Sequence, residues 1–566
     1  MQDRTALIEL IRSSVLGDGE AVCGPFGPRR VTYTDYTASG QSLSFTEDYI
    51  REAVLPLYAN THTESSGTGL QTTRFREDAR DIIRDAVGGR KPAHAVIFCG
   101  SGSTGAIDRM VGILNLRIPR DLDVKYGLSQ HIPAAERPVV FIGPYEHHSN
   151  ELPWRESIAD VVVIHEDLNG GIDLEHLERE LIRYADRPLR MGSFSAASNV
   201  TGIVSDTRAV SVLLHRHGAL SFWDFAAAAP YVRIGMGPQG ETGDAALDYK
   251  DAIFLSPHKL IGGPGTPGVL VARRELFTNT VPCVPGGGTV SYVNPEEHRY
   301  VVEPEHREEG GTPAIVESIR AGLIFQLKEA VGEELIRERE ESFIRRAIES
   351  WEQNPDIQIL GNRRAKRLSI VSFVVRCRDQ YLHHNYVVAL LNDLFGIQSR
   401  GGCSCAGPYG HRLLGIDLDR SHEFEREIAR GCEGIKPGWV RVNFNYFISE
   451  AVFTYILDAV HMVASEGWRL LHEYRFDPNS GLWRHRKGSG DPPMSLHDVS
   501  YDGSAMSWVR RRRQEAETRL PAYLEEARRL FTEARPEDSQ ADLELTADFE
   551  QLRWFPLPGE LHAAVR

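Results

Sequence analysis

Short apolar runs alternate with helical patterns from about residue 95 to residue 275, and this alternation constrains the fold of the chain most strongly. The runs predict buried strands in HAVIFCG (94–100), RPVVFIGP (137–144), ADVVVIHE (159–166), RMGSFSAAS (190–198), ALSFWDFAA (219–227), DAIFLSPHK (251–259) and GVLVARREL (268–276). Helical spacing lies between them, as in STGAIDRMVGILN (103–115). Strands alternating with helices predict an α/β domain on a mainly parallel sheet, and ligands bind at the carboxyl ends of such strands.

A second, smaller unit is expected downstream. The segment 315–353 has the pattern of one long charged helix, and RLSIVSFVVRCR (367–378), YVVALLNDLFG (386–396) and GWVRVNFNYFIS (438–449) indicate strand, helix and strand. We therefore predict a large domain over residues 45–314 and a small α+β domain over residues 315–465. Residues 1–44 are assigned to the small domain, and residues 466–566 form a C-terminal extension.

The C-terminal extension differs in character from the rest of the chain. Residues 476–493 are polar and rich in turn-forming residues, and the segment 508–534 is strongly charged with helical spacing. Four arginines at 510–513 are followed by acidic residues at helical spacing, which favours a solvated helix face over a nucleic-acid surface.

Composition and charge argue against several functions. With 64 Lys+Arg and 79 Asp+Glu the net charge is −15, so no overall basic surface for nucleic acid or anionic membrane is expected. Charged residues interrupt the apolar run at the N-terminus, which predicts an amphipathic helix and not a signal peptide, and no apolar stretch is long enough to cross a membrane. Seven cysteines without a repeated spacing indicate a reducing, cytoplasmic environment.

The segment FLSPHKLIGGPGTPGVLV (254–271) carries the clearest chemical signal. A strand ends at Ser256, His258 and Lys259 follow, and a glycine-rich loop leads to the next strand. A lysine in a turn is usually a surface residue. At a strand's carboxyl end, however, with a serine and a histidine suited to an anion, a desolvated lysine amine can form a Schiff base.

Three further segments have both a chemical and a structural interpretation. GSGSTGAID (100–108) opens a helix after a strand, which makes either a phosphate site or an ordinary helix cap. Asp224 ends an apolar strand and needs either a cation, such as a protonated pyridine nitrogen, or a partner arginine or capping role. PYEHHSNELPW (144–154) places two histidines beyond another strand, where one could stack on a flat ring or be structural.

Taken in order, these motifs resemble one family. Together with YTDYTASG, NTHTESSGTG, SAASNVTG, GGTP (310–313), RGGCSCAGP and RVNFNY, they are similar to class V aminotransferase-fold enzymes that depend on pyridoxal phosphate (PLP), in the cysteine desulfurase and selenocysteine lyase branch. RGGCSCAGP and RVNFNY also resemble the desulfurase domain of molybdenum-cofactor sulfurases. The resemblance covers residues 31–462 and implies the type I fold of PLP-dependent transferases.

The resemblance implies a role for particular residues. Lys259 would bind PLP covalently, Asp224 would pair with the ring nitrogen and His147 would stack on the ring. The residues implied in cofactor binding are Ser103, Thr104, His147, Asn199, Asp224, Ser256, His258 and Thr312. Thr312 corresponds to a residue that reaches the phosphate of a neighbouring subunit, which implies a homodimer. Arg441, with Arg400 as a second contributor, would bind the substrate carboxylate. Ala227 departs from the family, because many desulfurases have a glutamine there.

Two cysteines one residue apart in SRGGCSCAGP (399–408) raise a separate question. A disulfide between them would be strained, and a zinc site would need more ligands than the nearby His411. Two interpretations remain: a pair of buried structural thiols, or one reactive thiol. The first suits Cys99 and Cys377 better. The residues alone do not choose between Cys403 and Cys405. The family places its nucleophile five residues after an arginine, and this register selects Cys405.

The expected activity is removal of sulfur from L-cysteine, or of selenium from selenocysteine, through a persulfide on the enzyme, giving alanine and passing sulfur to an acceptor. The alternatives are an aminotransferase, epimerase or C–S β-lyase of the same fold, or a non-catalytic protein that binds a partner through residues 470–566. No metal is expected. The sequence leaves open the substrate, the sulfur acceptor, the role of residues 466–566, the effect of Ala227 and the role of Cys403.

Overall fold

The predicted strand series forms one seven-stranded sheet. The structure is a computed structural model that describes residues 4–61, 63–488, 494–509, 513–535, 545–558 and 560. The chain divides into unit 1 (Met1–Leu16, Tyr36–Arg339 and Arg364–Leu368) and unit 2 (Gly17–Asp35, Glu340–Arg363 and Ser369–Arg566).

Unit 1 is built on the seven-stranded sheet. From one edge to the other its strands are His94–Cys99, Gly268–Arg273, Ala252–Leu255, Leu220–Asp224, Arg190–Ser195, Val139–Ile142 and Asp160–Val163. Five of them are parallel, whereas Gly268–Arg273 is antiparallel to both of its neighbours. The short glycine-rich connection after Lys259 makes this reversal possible, because a parallel crossover needs a longer one. The mainly parallel α/β fold is confirmed.

The sheet is buried between helices. Its apolar side chains form a core with the helix Gly102–Ile113, in which Ile97, Phe222 and Leu270 are fully buried. The α-helices that lie wholly in unit 1 are Arg4–Ser14, Ser44–Tyr49, Gly67–Ala86, Gly102–Ile113, Arg120–Tyr126, Leu152–Arg155, Leu174–Arg183, Thr207–Arg216, Pro304–Arg307 and Ile315–Val331. A two-stranded hairpin pairs Val290–Val293 with His298–Tyr300.

Unit 2 contains a smaller, antiparallel sheet. Its strands run in the order Ile357–Ile359, Ile370–Cys377, Trp439–Asn443 and Arg400–Gly402, and Gln380–Tyr381 pairs with Ile370–Cys377. The α-helices wholly in unit 2 are His384–Phe395, Gly407–Leu414, Leu418–Ala429, Glu450–Glu466, Leu520–Glu533 and Ala547–Leu552. Two-residue strands Thr32–Tyr33 and Ile397–Gln398 pair in parallel. Hairpins pair Ala21–Gly24 with Gly27–Arg30, Tyr474–Asp477 with Leu482–His485, and Ser500–Asp502 with Ala505–Ser507.

The described residues of the C-terminal extension contribute to the core of unit 2. Tyr474, Trp483, Tyr523, Phe549 and Phe555 are all buried in the cluster that also contains the small sheet. Phe555 is 0% exposed, with its ring 4.6 Å from His383 and 5.1 Å from Phe476. The extension is therefore part of this unit's packing.

The structure differs from several sequence expectations. The segment predicted as one helix is two, Ile315–Val331 and Glu333–Trp351, because Gly332 between them has φ +84°. The division between units falls inside the second helix and not at residue 314, since Ile315–Val331 packs on Gly67–Ala86, where Gly322 meets Ala79. Of residues 1–44, only Gly17–Asp35 belong to unit 2.

The charged C-terminal segment 508–534 also differs from the helix expected there. The helix in this region is Leu520–Glu533, and Arg513 lies before it in a stretch where Gln514 bridges to Glu20, so Arg513 is not on a helix face. Arg510, Arg511 and Arg512 lie outside the described residues. The amphipathic N-terminal helix is confirmed as Arg4–Ser14, with Ile8 and Ile11 buried.

Candidate active site

The carboxyl ends of two neighbouring strands bring the predicted cofactor residues of unit 1 together. Asp224 ends its strand opposite Phe254 on one side and Ser195 on the other. Ser256 follows the strand Ala252–Leu255 directly, and a short turn, Pro257–Lys259, carries the lysine. Adjacent parallel strands thus place Asp224 and Lys259 at the same edge of the sheet, as ligand sites in such sheets require.

Asp224 is a buried carboxylate. It is 4% exposed, and its Oδ1 accepts a hydrogen bond of 2.8 Å from the N–H of Ala226. Burial raises the pKa of Asp224, and the Ala226 N–H, the charge of Lys259 and a hydrogen bond from Ser103 oppose that rise. A carboxylate in this setting is stabilised by a cation, which a protonated ring nitrogen would supply.

Ser256, His258 and the start of the helix Gly102–Ile113 surround a small space. The Ser103 N–H donates to Ser256 Oγ at 2.8 Å. Gly102 has φ +54°, and a Cβ there would lie 2.9 Å from Ser256 Oγ and 3.3 Å from His258 Nε2. Only glycine keeps this space open, beside a helix N-terminus whose dipole suits an anion. The donors around it fit a phosphate group.

Lys259 is half-buried in its turn and acts electrostatically on its neighbours. The carbonyl of His258 accepts a hydrogen bond from the Gly40 N–H at 2.8 Å, which fixes the turn. Burial, reinforced by the charge of Lys259, lowers the pKa of His258 to about 4, so this imidazole is neutral at pH 7. A neutral imidazole has one N–H to donate.

A hydroxyl links two further predicted residues. Ser149 Oγ lies 2.6 Å from Thr104 Oγ1 and 3.0 Å from His147 Nδ1, and the Ser149 N–H donates to the same ring nitrogen at 3.1 Å. These contacts fix the orientation of the His147 ring, which suits a residue that stacks on a flat cofactor. Asn199 is buried at 8% exposure. Thr312 is exposed, with its hydroxyl 3.4 Å from Asn60 Nδ2.

Glu146 is a residue that sequence reasoning missed. Its Oε1 accepts from the N–H groups of Gly143 and Ser195 at 3.1 and 2.9 Å, and its Oε2 accepts from Asn150 Nδ2 and Ser195 Oγ at 2.6 Å each. Burial raises the pKa of Glu146 to about 7 despite these bonds, and the charge of Asp224 adds to the rise. Four donors from three residues, Gly143, Asn150 and Ser195, thus fix the segment that carries His147. The signal in the sequence was a carboxylate four residues after the end of a buried strand.

Unit 2 holds the predicted arginines and cysteines. Arg400 and Arg441 face each other on paired strands, and both bind Asp35. Arg441 Nη2 donates to Asp35 Oδ1 at 2.9 Å, and Arg400 Nε donates to Asp35 Oδ2 at 2.8 Å. Arg441 is 3% exposed, so burial fixes its guanidinium, whereas Arg400 is partly solvated. Sequence analysis did not assign Asp35, although it lies in the quoted motif YTDYTASG. Its carboxylate shows that this guanidinium pair can bind a carboxylate group.

The two neighbouring cysteines lie in a tight turn. The carbonyl of Cys403 accepts from the Ala406 N–H at 3.1 Å, and Ser404 and Cys405 have φ +52° and +56°. Two consecutive left-handed residues make a type I′ turn, a conformation that non-glycine residues adopt at an energetic cost. The segment is therefore not extended. Only an extended segment would place the side chains of both cysteines on one face. Both thiols are free and exposed.

The strand leading into this turn packs closely on His384. A Cβ on Gly401 would lie 3.1 Å from His384 Cδ2 and 2.6 Å from Asn385 Oδ1. Trp554 of the C-terminal extension stacks on His384 with ring centroids 5.8 Å apart and planes at 12°. The extension thus supports the base of the cysteine turn.

Two of the other thiols differ from Cys403 and Cys405 in their burial and pKa. Cys99 is buried, and burial raises its pKa to about 12, while the pKa of the half-buried Cys377 rises to about 11. All seven cysteines are described and free. Within the described ranges, no group of three or more histidine, cysteine or acidic side chains is arranged to hold a metal ion.

The fold, the lysine at the strand end and the space that Gly102 leaves open beside Ser256 together define a PLP-dependent enzyme of fold type I. The chain belongs to the aminotransferase class-V family, whose sequence model matches residues 32–417. A probable cysteine desulfurase of Halalkalibacterium halodurans is 25% identical over 386 residues, 67% of this chain and 84% of that protein. A probable cysteine desulfurase of Mycobacterium leprae is 28% identical over 282 residues, 49% of this chain and 62% of that protein.

Solved structures share the fold. An apo cysteine desulfurase of Thermococcus onnurineus NA1 has a TM-score of 0.61 at 23% identity, covering 77% of this chain and 94% of that one. The cysteine desulfurase CsdA of Escherichia coli has a TM-score of 0.58 at 20% identity, covering 80% and 97%. Among the residues that the structure describes, no helix is both long and apolar enough to cross a membrane.

Proposed function

We propose that this chain is a PLP-dependent cysteine desulfurase. The observation that carries the proposal is the exposed Cys405 thiol on a turn that directly follows the strand bearing Arg400, in a chain whose other unit holds Lys259 and Asp224 at one sheet edge. An aminotransferase of this fold needs the lysine and aspartate but has no use for such a thiol. The related probable cysteine desulfurases support the same activity.

The residues present fit PLP. Ser256, His258 and the helix start at Gly102 would hold its phosphate, Asp224 would hold the charge on its ring nitrogen, and Lys259 would bind it covalently. When bound, PLP supplies an electron sink for the bonds at the α-carbon of an amino acid. The proposal also includes the cofactor contacts that the family resemblance implies for Ser103, Thr104, His147, Asn199 and Thr312.

The chain's own groups would perform the remaining steps. Arg441, assisted by Arg400, binds the substrate carboxylate, and Lys259 accepts the α-proton. The Cys405 thiolate attacks the substrate sulfur, so that an S–S bond forms as the C–S bond breaks and its electron pair remains with the carbon fragment. Protonation of that fragment gives alanine, and Cys405 retains a persulfide. One cysteine and one thiol thus become one alanine and one persulfide.

Several finer features belong to the same proposal. A homodimer would use the exposed Thr312 to complete the phosphate site of the second subunit, and C₂ dimers are the commonest soluble oligomers. The persulfide would pass to an acceptor protein in the cytoplasm, and selenocysteine would be an alternative substrate. Ala227 favours the alternative of an aminotransferase, epimerase or C–S β-lyase of this fold, since it offers no polar group where many desulfurases have glutamine.

The decisive test is to incubate the holoenzyme with L-cysteine and a reductant and to measure sulfide and alanine together. Equal amounts are expected. Lys259→Ala should abolish turnover and remove the visible absorbance of the covalently held cofactor. Unchanged absorbance in that variant would show that another group holds PLP.

The paired variants Cys405→Ser and Cys403→Ser separate the two thiols. Cys405→Ser should retain PLP and cysteine binding but release no sulfide, whereas Cys403→Ser, the matched control two residues away, should keep much of the activity. Mass spectrometry without reductant should find the added sulfur on Cys405. Wild-type sulfide release by Cys405→Ser would replace the desulfurase proposal with the β-lyase or aminotransferase alternative.

A further inference from the structure

Unit 1 contains a large cavity at the end of the sheet opposite to the cofactor residues. The cavity has a volume of about 850 Å³ and is lined by Lys250, Lys328, the glycine-rich segment 233–239 and the start of the helix Thr207–Arg216. Lys250 lies just before the amino end of the strand Ala252–Leu255, whereas Ser256 follows its carboxyl end. At about 3.3 Å per residue, roughly 20 Å separate the two positions. The cavity is therefore distinct from the candidate active site.

Two lysines in the wall of this cavity are buried. Lys250 is 4% exposed and Lys328 is 7% exposed. Each ammonium group donates to one backbone carbonyl: Lys250 Nζ to Asp248 at 3.2 Å, and Lys328 Nζ to Val232 at 2.6 Å. Among the described residues, neither forms an ion pair with a carboxylate. Each ammonium has three N–H groups, so both retain unused donors.

Among the described residues, acidic side chains attract these lysines without forming an ion pair with them: Asp248 and Asp206 act on Lys250, and Glu329 and Glu333 act on Lys328. Asp248 is buried, but its Oδ1 accepts from the Gln239 N–H at 3.0 Å and its Oδ2 lies 3.2 Å from Arg208 Nε. Of the other acidic residues that line the cavity, Asp85, Glu329 and Glu334 are exposed to solvent and Glu333 is half-buried. The buried wall therefore carries two cations that no carboxylate of the described residues contacts directly, and a bound anion would offset the cost of their burial.

We propose that this cavity binds a small phosphate-bearing molecule, with the ammonium groups of Lys250 and Lys328 as its two principal contacts. Two positive charges match a phosphate dianion, and lysine binds phosphate as a compact point charge with several donors. Gly235 and Gly237 line the same wall and leave it open to a ligand, because a Cβ at Gly235 would meet nothing within 4 Å and one at Gly237 only a carbonyl at 3.4 Å. The volume lies within the range of small-molecule sites.

The protonation behaviour of the lysines supports this assignment. Burial lowers the pKa of both Lys250 and Lys328 to about 8, so both are still mostly charged at neutral pH. A bound anion would favour the charged forms and raise these pKa values. Phosphate binding should therefore weaken as the pH rises above about 8, in parallel with loss of the ammonium charge.

The test uses the PLP-loaded enzyme at pH 7 and constant ionic strength. Inorganic phosphate and glycerol 3-phosphate are titrated separately, and binding is followed by the unfolding midpoint and by calorimetry. A saturable rise in midpoint is expected with unchanged cofactor absorbance. Tighter binding of the ester would identify an organic phosphate as the ligand, and equal binding would identify free phosphate.

Matched variants decide whether the cavity is responsible. Lys250→Met with Lys328→Met removes both charges while keeping side-chain length, and affinity should fall by at least about tenfold, or about 1.4 kcal/mol. Lys125→Met, at an exposed position, is the control and should bind as the wild type does. Equal affinity in the double variant, no saturable response in the wild type at millimolar phosphate, or a response accompanied by loss of cofactor absorbance would each overturn the proposal.

Discussion

Replacing Phe555 with alanine should destabilise unit 2, although this residue lies eleven positions from the C-terminus of the 566-residue chain. The ring is 0% exposed and makes edge contacts with His383, Phe476 and Trp554 at centroid distances of 4.6, 5.1 and 5.1 Å. Such a side chain buries about 150–250 Å², worth roughly 4–6 kcal/mol at about 25 cal/mol per Å². Measured Phe→Ala costs in cores are about 3–5 kcal/mol, so we expect about 4 kcal/mol.

Tryptophan fluorescence is a suitable probe, because six of the eight tryptophans belong to unit 2. Urea unfolding followed at this signal should show a lower midpoint for Phe555→Ala with an unchanged slope. Tyr501→Ala, which removes a 75% exposed aromatic ring from the same extension, is the control and should change stability by no more than about 0.5 kcal/mol. If both variants unfold at the wild-type midpoint, the extension does not contribute to the core and the reasoning is wrong.

Three further predictions concern single groups. Since the folded-state pKa of Lys328, about 8, lies below its ordinary value of 10.5, the unfolded chain holds that proton more tightly, and wild-type stability should rise relative to Lys328→Met as the pH increases from about 8 to 10.5. If the urea midpoints of the two proteins changed by the same amount over this pH range, the lowered pKa of Lys328 would be contradicted. Asp224→Asn should lower cysteine turnover by about 10²-fold or more without a lower unfolding midpoint, because a charge at the cofactor is lost while a carboxylate whose pKa is raised by burial is removed. Iodoacetamide at neutral pH, followed by peptide mass spectrometry, should modify the exposed Cys403 and Cys405 and leave Cys99 untouched, because burial raises the pKa of Cys99 to about 12; labelling of Cys99 in the folded protein would refute its burial.

The sequence predicts the large sheet well because its signal is local. Each apolar run is bounded by turn residues, and all seven runs are strands in the structure. The strand-end position of Lys259 and Asp224 follows from the same pattern. The break at Gly332 is missed because a single glycine within a charged, periodic segment does not by itself end a helix.

Long-range pairing explains what the sequence does not reveal. Asp35 lies 365 residues from Arg400 and 406 residues from Arg441, so no local pattern connects them. The aromatic core residues of the C-terminal extension lie in polar, turn-rich sequence, where Phe476 and Trp483 show no regular period. Their burial depends on helices and strands formed elsewhere in the chain. The left-handed pair Ser404 and Cys405 is likewise invisible, because neither residue type favours that conformation.

The discontinuity of unit 2 has a consequence for synthesis on the ribosome. Residues Gly17–Asp35 emerge early, yet Arg29 donates to a carbonyl 365 residues later and the Arg30 N–H donates to the hydroxyl of Tyr523, 493 residues later. At about 5–20 residues per second, this segment waits roughly 20–100 s for its partners. All segments of unit 1 have been made once residue 368 has emerged, whereas unit 2 still lacks most of its chain. Vectorial synthesis therefore completes the unit that contains Lys259 before most of the unit that contains Cys405 has been made.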